Sequence, residues 1–332
     1  MNLRMIAERA GVSAATVSNV INGHYNKVSE ETRRRVEEII RQTDYQPAAA
    51  TRKKAGIRTI GMVLPFVSRE PDFLINHQGS YALAQMENLA AERHARVLIF
   101  SGRSLPEVLS LIPDNVLDGL VVVGAFEADA LSFRRALCIP VVFVDIVTDD
   151  QECVTVNIDD YRGGFLMARY LFSKGHRKIA VASPDYSQGV IHERIRGFTD
   201  ACAESGIAFD ESDIYQTDTI YSSSVKVGQD IALSDKGYTA IASMSDDTAF
   251  WMSSGIRQCG LDIPGDISII GFDGIPEGMC FLPRLTSIEQ DISLKIDIAG
   301  RYLFRMMDGE DIQAHDVLPV QVREGDSVKN LL

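Results

Sequence analysis

The chain has 332 residues, 45% hydrophobic and 24% charged, with a formal net charge of −13 at pH 7, a composition that suits a small domain plus a two-lobed one. Its five cysteines (Cys138, Cys153, Cys202, Cys259 and Cys280) are odd in number and far apart, with no C-x-x-C pair. That argues against a disulfide scaffold or thiolate metal site and for free thiols in a reducing compartment. No window approaches the ~18 uninterrupted apolar residues of a membrane helix, and Arg4, Glu8 and Arg9 interrupt the amino terminus early, so a cytoplasmic protein is expected.

The first predicted elements lie in Arg4–Asn22, RMIAERAGVSAATVSNVIN. Ile6, Ala7 and Ala10 share one helical face, and Gly11 follows where a left-handed turn costs little. Ser13 stands as an N-cap before Val17, Val20 and Ile21, which repeat at helical spacing. Two short helices joined by a tight turn make a helix-turn-helix, whose second helix enters the DNA major groove. Its leading residues, Ser13, Ala14, Ala15, Thr16, Ser18 and Asn19, are small or polar and uncharged, so they are the expected DNA-reading set. The competing reading is an ordinary helical hairpin. A third helix opens at Val28-Ser29-Glu30-Glu31-Thr32, with a Ser cap and two acids at its positive end. Val36, Ile39 and Ile40 form its apolar stripe, and Tyr45-Gln46-Pro47 ends it.

The run AGVSAATVSNVINGH…VSEETRRRVEEIIRQTDYQP resembles the amino-terminal headpiece of the lactose repressor (LacI/GalR) family of bacterial transcription regulators. The helix-turn-helix, the third helix and the Tyr-x-Pro come in the family's order and spacing. Charge distribution agrees: residues 1–56 hold ten Lys+Arg against six Asp+Glu, leaving 23 against 40 in the remainder. A basic headpiece on an acidic body aims the head at phosphates.

Residues 48–58, AAATRKKAGIR, read as a linker; the resemblance implies a hinge helix that enters the minor groove, with Lys53 and Lys54 against DNA. Beyond it, apolar runs at 59–65, 96–100, 119–123, 140–146, 178–183, 239–244 and 267–273 alternate with helical stretches near 77–93, 129–137, 161–174, 190–205, 223–234 and 246–259. This is the pattern of parallel sheets covered on both faces. Seven such strands in ~220 residues suit two Rossmann-like lobes with a cleft between them better than one sheet. The expected fold is α/β: an all-α helix-turn-helix headpiece (1–47), a hinge (48–58) and a two-lobed, periplasmic-binding-protein-like effector and dimerisation domain (59–332). Two further stretches resemble the family, NIDDYRGGFLMARYLFSKGHRKIAVAS and DIPGDISIIGFDGIP with PRLTSIEQD, and they extend the likeness over roughly 320 residues. No heptad tail follows the last strand, so a homodimer on an inverted-repeat operator is expected.

No catalytic constellation stands out: the six His are scattered, G-x-S-x-G and the P-loop are missing, and Asp pairs near helix starts cap helices more often than they do acid/base work. No enzyme activity, cofactor or metal is expected. Polar residues at strand ends outline a ligand site instead: Asp145, Ser245, Asp246 and Asp273, with Asp72 and Phe73 in the loop after the first strand. Arg194, in ERIRGF, stands where the family's effector-contacting arginine does. Carboxylates and Arg match the hydroxyls of a sugar or polyol, and Phe73 can stack on a sugar's apolar face. For Asp246, helix capping competes evenly. A purine-like co-repressor is the alternative ligand, and a two-lobed solute-binding protein the alternative function. On this reading Arg194→Ala should abolish the ligand response and leave operator binding intact.

The hinge departs from the family. Relatives carry a leucine seven residues after the Pro, and a pair of these wedges into the central minor-groove step. This chain has Lys54 there, and an ammonium cannot unstack bases as an apolar wedge does. Lys54 should lie along the groove or on a phosphate, giving less bending and a steeper salt dependence. Lys54→Ala is expected to lower the slope of log affinity against log salt by roughly 1 per subunit. An unchanged slope with wild-type affinity would make Lys54 a solvated linker residue.

Overall fold

The computed structural model describes residues 3–21, 28–41, 57–65, 77–102, 105–112, 116–124, 127–137, 139–184, 187, 189–218 and 220–332. In the headpiece, α1 spans Leu3–Ala10, α2 Ala14–Ile21 and α3 Glu30–Arg41. Gly11 makes the turn at φ +64°, which a Cβ would resist. The Ser13 hydroxyl accepts from the Thr16 N–H at 3.1 Å, and Ser29 caps α3 through the Thr32 N–H at 3.2 Å. Ile6, Ala7, Ala10, Val17, Val20 and Val36 close a small core.

The body is two parallel-sheet lobes, as the alternating pattern predicts. Its first half runs β1 (Arg58–Pro65), α4 (His77–Glu92), β2 (Ala95–Gly102), α5 (Leu105–Leu111), β3 (Gly119–Val123), α6 (Glu127–Ala136), β4 (Val141–Val144) and β5 (Val154–Ile158). The second half runs α7 (Asp160–Ser173), β6 (Ile179–Ser183), α8 (Gly189–Glu204), β7 (Ile214–Gln216), α9 (Tyr221–Ala232), β8 (Ala240–Ser243), α10 (Asp246–Gln258), β9 (Ser268–Asp273) and β10 (Thr286–Glu289). The chain then returns through α11 (Ile292–Met307) and β11 (His315–Leu318), and ends its regular structure with β12 (Gln321–Arg323).

The amino-terminal lobe's sheet has the order β11-β5-β4-β3-β1-β2, the carboxyl-terminal lobe's β12-β10-β9-β8-β6-β7. Every described pairing is parallel except β10 with β12. Each order reverses beside its first strand, β1 or β6, and that edge is where α/β sheets leave a crevice. Three crossings join the lobes: β5 to α7, β10 to α11, and β11 to β12.

All seven expected strands are present, with no end shifted by more than two residues. The unexpected ones are short or flanking: β5, β7, β10, β11 and β12. Helix α11 also carries no clear helical signal at its start, because Ile292, Leu294, Ile296 and Ile298 alternate as a strand's residues do. Tertiary packing resolves it. Ile292, Ile296, Ala299 and Leu303 bury along one helical face against Ile60, Met62 and Val144.

In the second lobe, α7 and α8 meet backbone to backbone. A Cβ on Gly164 would sit 1.8 Å from the Arg194 carbonyl oxygen, and one on Gly197 would sit 2.0 Å from that of Tyr161. Neither oxygen belongs to a flexible side chain, so the helices would have to separate. Gly164→Ala should therefore cost at least ~1–3 kcal/mol of stability in denaturant melts. A variant melting as wild type would mean the contact is looser than this geometry.

Candidate functional site

The face of α2 expected to read DNA is accessible. Ser13 and Ala15 are exposed, and Ala14, Thr16, Ser18 and Asn19 are half-buried, while Val17 and Val20 turn inward. The Ser13 and Thr16 hydroxyls lie 2.9 Å apart, so both side chains also serve the helix start. Lys53 and Lys54, and the loop residues Asp72 and Phe73, lie outside the described residues.

Between the lobes, a chain of buried polar groups follows the crossings. Asp145 closes β4 and Asp273 closes β9, and each adopts a positive φ, +59° and +117°. Non-glycine residues held there carry strain of ~1–3 kcal/mol and concentrate at functional sites. Lys295, 1% exposed, donates to both Asp145 oxygens at 2.7 and 2.9 Å and to Gln290 Oε1 at 2.7 Å. Gln290, on the second crossing, turns its Nε2 to Asp273 Oδ1 at 2.8 Å. The guanidinium of Arg194 lies 3.8 Å from that same oxygen, donates to Asp160 Oδ1 at 2.7 Å and to the Met244 carbonyl at 2.8 Å, and covers the Phe272 ring at 3.6 Å. Two carboxylates of the second lobe are thereby tied through one amide to a lysine of the first.

Burial pushes Asp160 up to about 6 although Arg194 pulls the other way, and Asp273 is raised to about 6 by the same opposition. Both pKa values are raised on folding. Their contribution to stability is thus full below the ordinary carboxylate range and declines as pH rises through about 6. Above that pH, Arg194 is what compensates them.

Two expected ligand contacts are turned to other work. Ser245 caps α10, accepting from the Thr248 N–H at 3.2 Å. Asp246 is fully buried and accepts from the Ser287 hydroxyl at 2.6 Å and the Ile275 N–H at 2.9 Å, joining α10 to β10 and the loop after β9. Burial raises its pKa well above the usual range, and Asp273 adds to this. Neither residue lines the cavity described next.

That cavity, ≈ 100 Å³, opens at the carboxyl ends of the first lobe's strands. Leu64, Val123 and Val144 form one side, Ile292 and Ile296 of α11 another, and Gln78, Ala82 and Leu83 of α4 the third; Asp145 and Lys295 supply the charge. Helix α4 also reaches the other lobe. Gln78 Nε2 approaches Asp273 Oδ1 at 3.4 Å, Tyr81 donates to Glu277 at 2.8 Å, and His77 Nδ1 pairs with Asp247. The Asp247 hydrogen bond raises the His77 pKa against its partial burial.

Sequence reasoning singled out Asp145, Arg194 and Asp273, which this chain of contacts brings together. It missed Lys295, Gln290 and the start of α4. Gln290 stands in the family-like stretch PRLTSIEQD and could have been weighed. Lys295 sits in ISLKIDI, where alternation suggests an outward-facing lysine. Among the described residues no group of three or more His, Cys, Asp or Glu is placed to hold a metal, and no helix is long and apolar enough to cross a membrane.

These contacts revise what Arg194 does. Arg194→Ala would strand two buried carboxylates and should cost about 3–5 kcal/mol at neutral pH, a loss of folding as well as of response. The cost should shrink at pH 5, where both carboxylates bind protons. Urea melts at pH 5 and pH 7.5 check this; a loss below 1 kcal/mol at pH 7.5 would mean that Arg194 is replaceable.

Comparison with known proteins agrees with this architecture. Residues 2–48 match the family described as bacterial regulatory proteins, lacI family, and residues 168–328 match a periplasmic binding protein-like domain. The chain is 28% identical to catabolite control protein A of Priestia megaterium over 98% of both chains. It is 30% identical to the HTH-type transcriptional repressor PurR of Actinobacillus pleuropneumoniae serotype 3 over 88% of this chain and 86% of that one. Among solved structures, the regulator CelR in complex with cellobiose superposes with a TM-score of 0.73 at 23% identity, covering 98% of this chain and 99% of that one. The lac repressor dimer bound to operator and the anti-inducer ONPF gives 0.72 at 24%, covering 99% of both. With a helix-turn-helix at one end and two hinged lobes behind it, the chain belongs to the lacI family of bacterial regulatory proteins and is an effector-regulated, DNA-binding transcriptional regulator.

Proposed function

We infer that this regulator is a homodimeric cytoplasmic repressor, not an enzyme, whose operator affinity is set by a sugar or polyol in the cavity between α4 and α11. The domain reading is a headpiece at 1–47, a hinge at 48–58 and a two-lobed body at 59–332. One observation carries the mechanism: the first turns of α4 wall the cavity and also make the His77, Gln78 and Tyr81 contacts to the second lobe. A ligand seated against these turns bears on the same side chains that reach Asp247, Asp273 and Glu277, so a shift of α4 strains those contacts. Ligand affinity and lobe arrangement are then linked, and the hinges read the arrangement.

The ligand class is supported by related structures: CelR was solved with cellobiose, and a LacI-family regulator of Enterococcus faecium with ribose. Partnership with a second copy is supported by apolar side chains left on the surface, Leu282 at 81% exposure with Met279 in the same loop. Thermal-shift measurements on the full chain with neutral sugars test the ligand, since a specific binder raises the melting temperature. Operator titration with and without that binder tests the response; a binder that leaves operator affinity unchanged would refute the linkage.

On the DNA side, Asn19 can bond bidentately to adenine N6 and N7, and Ala14 or Ala15 can touch a thymine methyl. An inverted-repeat operator with an A·T pair opposite Asn19 in each half-site follows. Asn19→Ala should cost roughly 1–3 kcal/mol on that operator and relax preference at that pair alone. Site selection returning guanine there would rule out the assignment.

A further inference from the structure

We propose that Lys295 determines the charge class of ligand the cavity accepts, by forming with Asp145 an ion pair that favours a neutral hydroxyl and turns away ligands of either sign. This rests on the reading of the cavity as the effector site.

The wall around the pair is apolar: Leu64, Val123, Val144, Ile292 and Ile296 would pack as well against a methionine or leucine. The chain instead places an ammonium there, 1% exposed, and compensates it with both oxygens of Asp145 and the Gln290 carbonyl oxygen. Replacing a buried ion pair by apolar residues is often neutral or stabilising, so packing alone gives no reason for this one. Its position gives one. Among the described residues, Asp145 and Lys295 are the only charged ones lining the cavity, and together they bring one carboxylate and one ammonium that cancel in charge.

A cationic ligand that approached Asp145 would meet the ammonium of Lys295, and an anionic ligand that approached Lys295 would meet Asp145. An alcohol can donate to the carboxylate and, by replacing Gln290 as the third acceptor of the ammonium, accept from Lys295. The apolar walls then take the carbon face of the same molecule. The pair also has a route outward: Lys295 fixes the Gln290 amide, whose other end holds Asp273 of the second lobe. A hydroxyl that draws Lys295 away from Gln290 frees that amide, so the atom that selects the ligand also reports it.

Two experiments separate this inference from the effector reading it rests on. The first needs no ligand: a double-mutant cycle of thermal stability for Lys295→Met and Asp145→Asn in the full chain. Each single change strands one buried charge, while the double variant strands no charge, so it should melt closer to wild type than either. Additive losses would overturn the pairing and leave the effector reading standing. The second is a binding series with glucose, glucosamine and glucuronate, one skeleton in three charge states. Wild type should bind glucose best, K295M should favour glucosamine by roughly tenfold over wild type, D145N should favour glucuronate by a similar factor, and the double variant should return to glucose. The same preference order in all four proteins would overturn the inference. Strong coupling in the cycle with no binding of any sugar to any of the four would overturn the effector reading and the inference built on it.

Discussion

The lobes depend on how one buried guanidinium is satisfied. Arg194 lies at 5% exposure against Asp160, Asp273, the Met244 carbonyl and the face of Phe272. These groups come from the start of α7, from β9 and from the end of β8, so a single side chain joins three elements where the chain first enters the second lobe. The arrangement requires α7 and α8 to approach closer than any Cβ allows, and Gly164 and Gly197 meet that requirement. Burial opposes the charge on both aspartates, so the cluster holds only while every member is present.

From that cluster the path to the first lobe is short. Asp273 passes through Gln290 to Lys295 and Asp145, and through Gln78 to α4. The links through Gln290 and Lys295 are directional hydrogen bonds between buried groups, so small displacements at one end alter which bonds the other end can make. Helix α4 adds a parallel connection through His77 and Tyr81. On the proposed effector reading, a ligand in the cavity acts on both routes at once. That is how binding in one lobe can favour one interlobe arrangement over another, which is the thermodynamic content of allostery.

The headpiece works by different physics. Among the described residues its core is six buried apolar side chains, and the caps at Ser13 and Ser29 and the Gly11 turn add to what burial supplies. The excess of positive charge in residues 1–56, beside an acidic body, draws the headpiece to phosphates and leaves the body repelled. On the proposed reading, base preference is then left to short polar side chains on α2.

Much of this was legible in the residue order. Caps, turns and helix periodicity are local, so Ser13, Gly11 and Val17 announced the helix-turn-helix, and continuous Val/Ile runs announced parallel strands covered on both faces. Strand-end polarity picked out Asp145 and Asp273, because a carboxylate after an apolar strand stands at the crevice. Tertiary structure decided what those carboxylates touch. Whether Asp246 points to a ligand or into its own lobe depends on Ser287 and Ile275, up to 41 residues away. Whether Lys295 is a solvated lysine or the buried partner of Asp145 depends on α11 packing across the first lobe's sheet, although its sequence alternates like a strand. Local order determines secondary structure because backbone hydrogen bonds and side-chain periodicity are short-range. Pairing of buried charges was settled only on folding, because burial and distance between remote segments fix its energy.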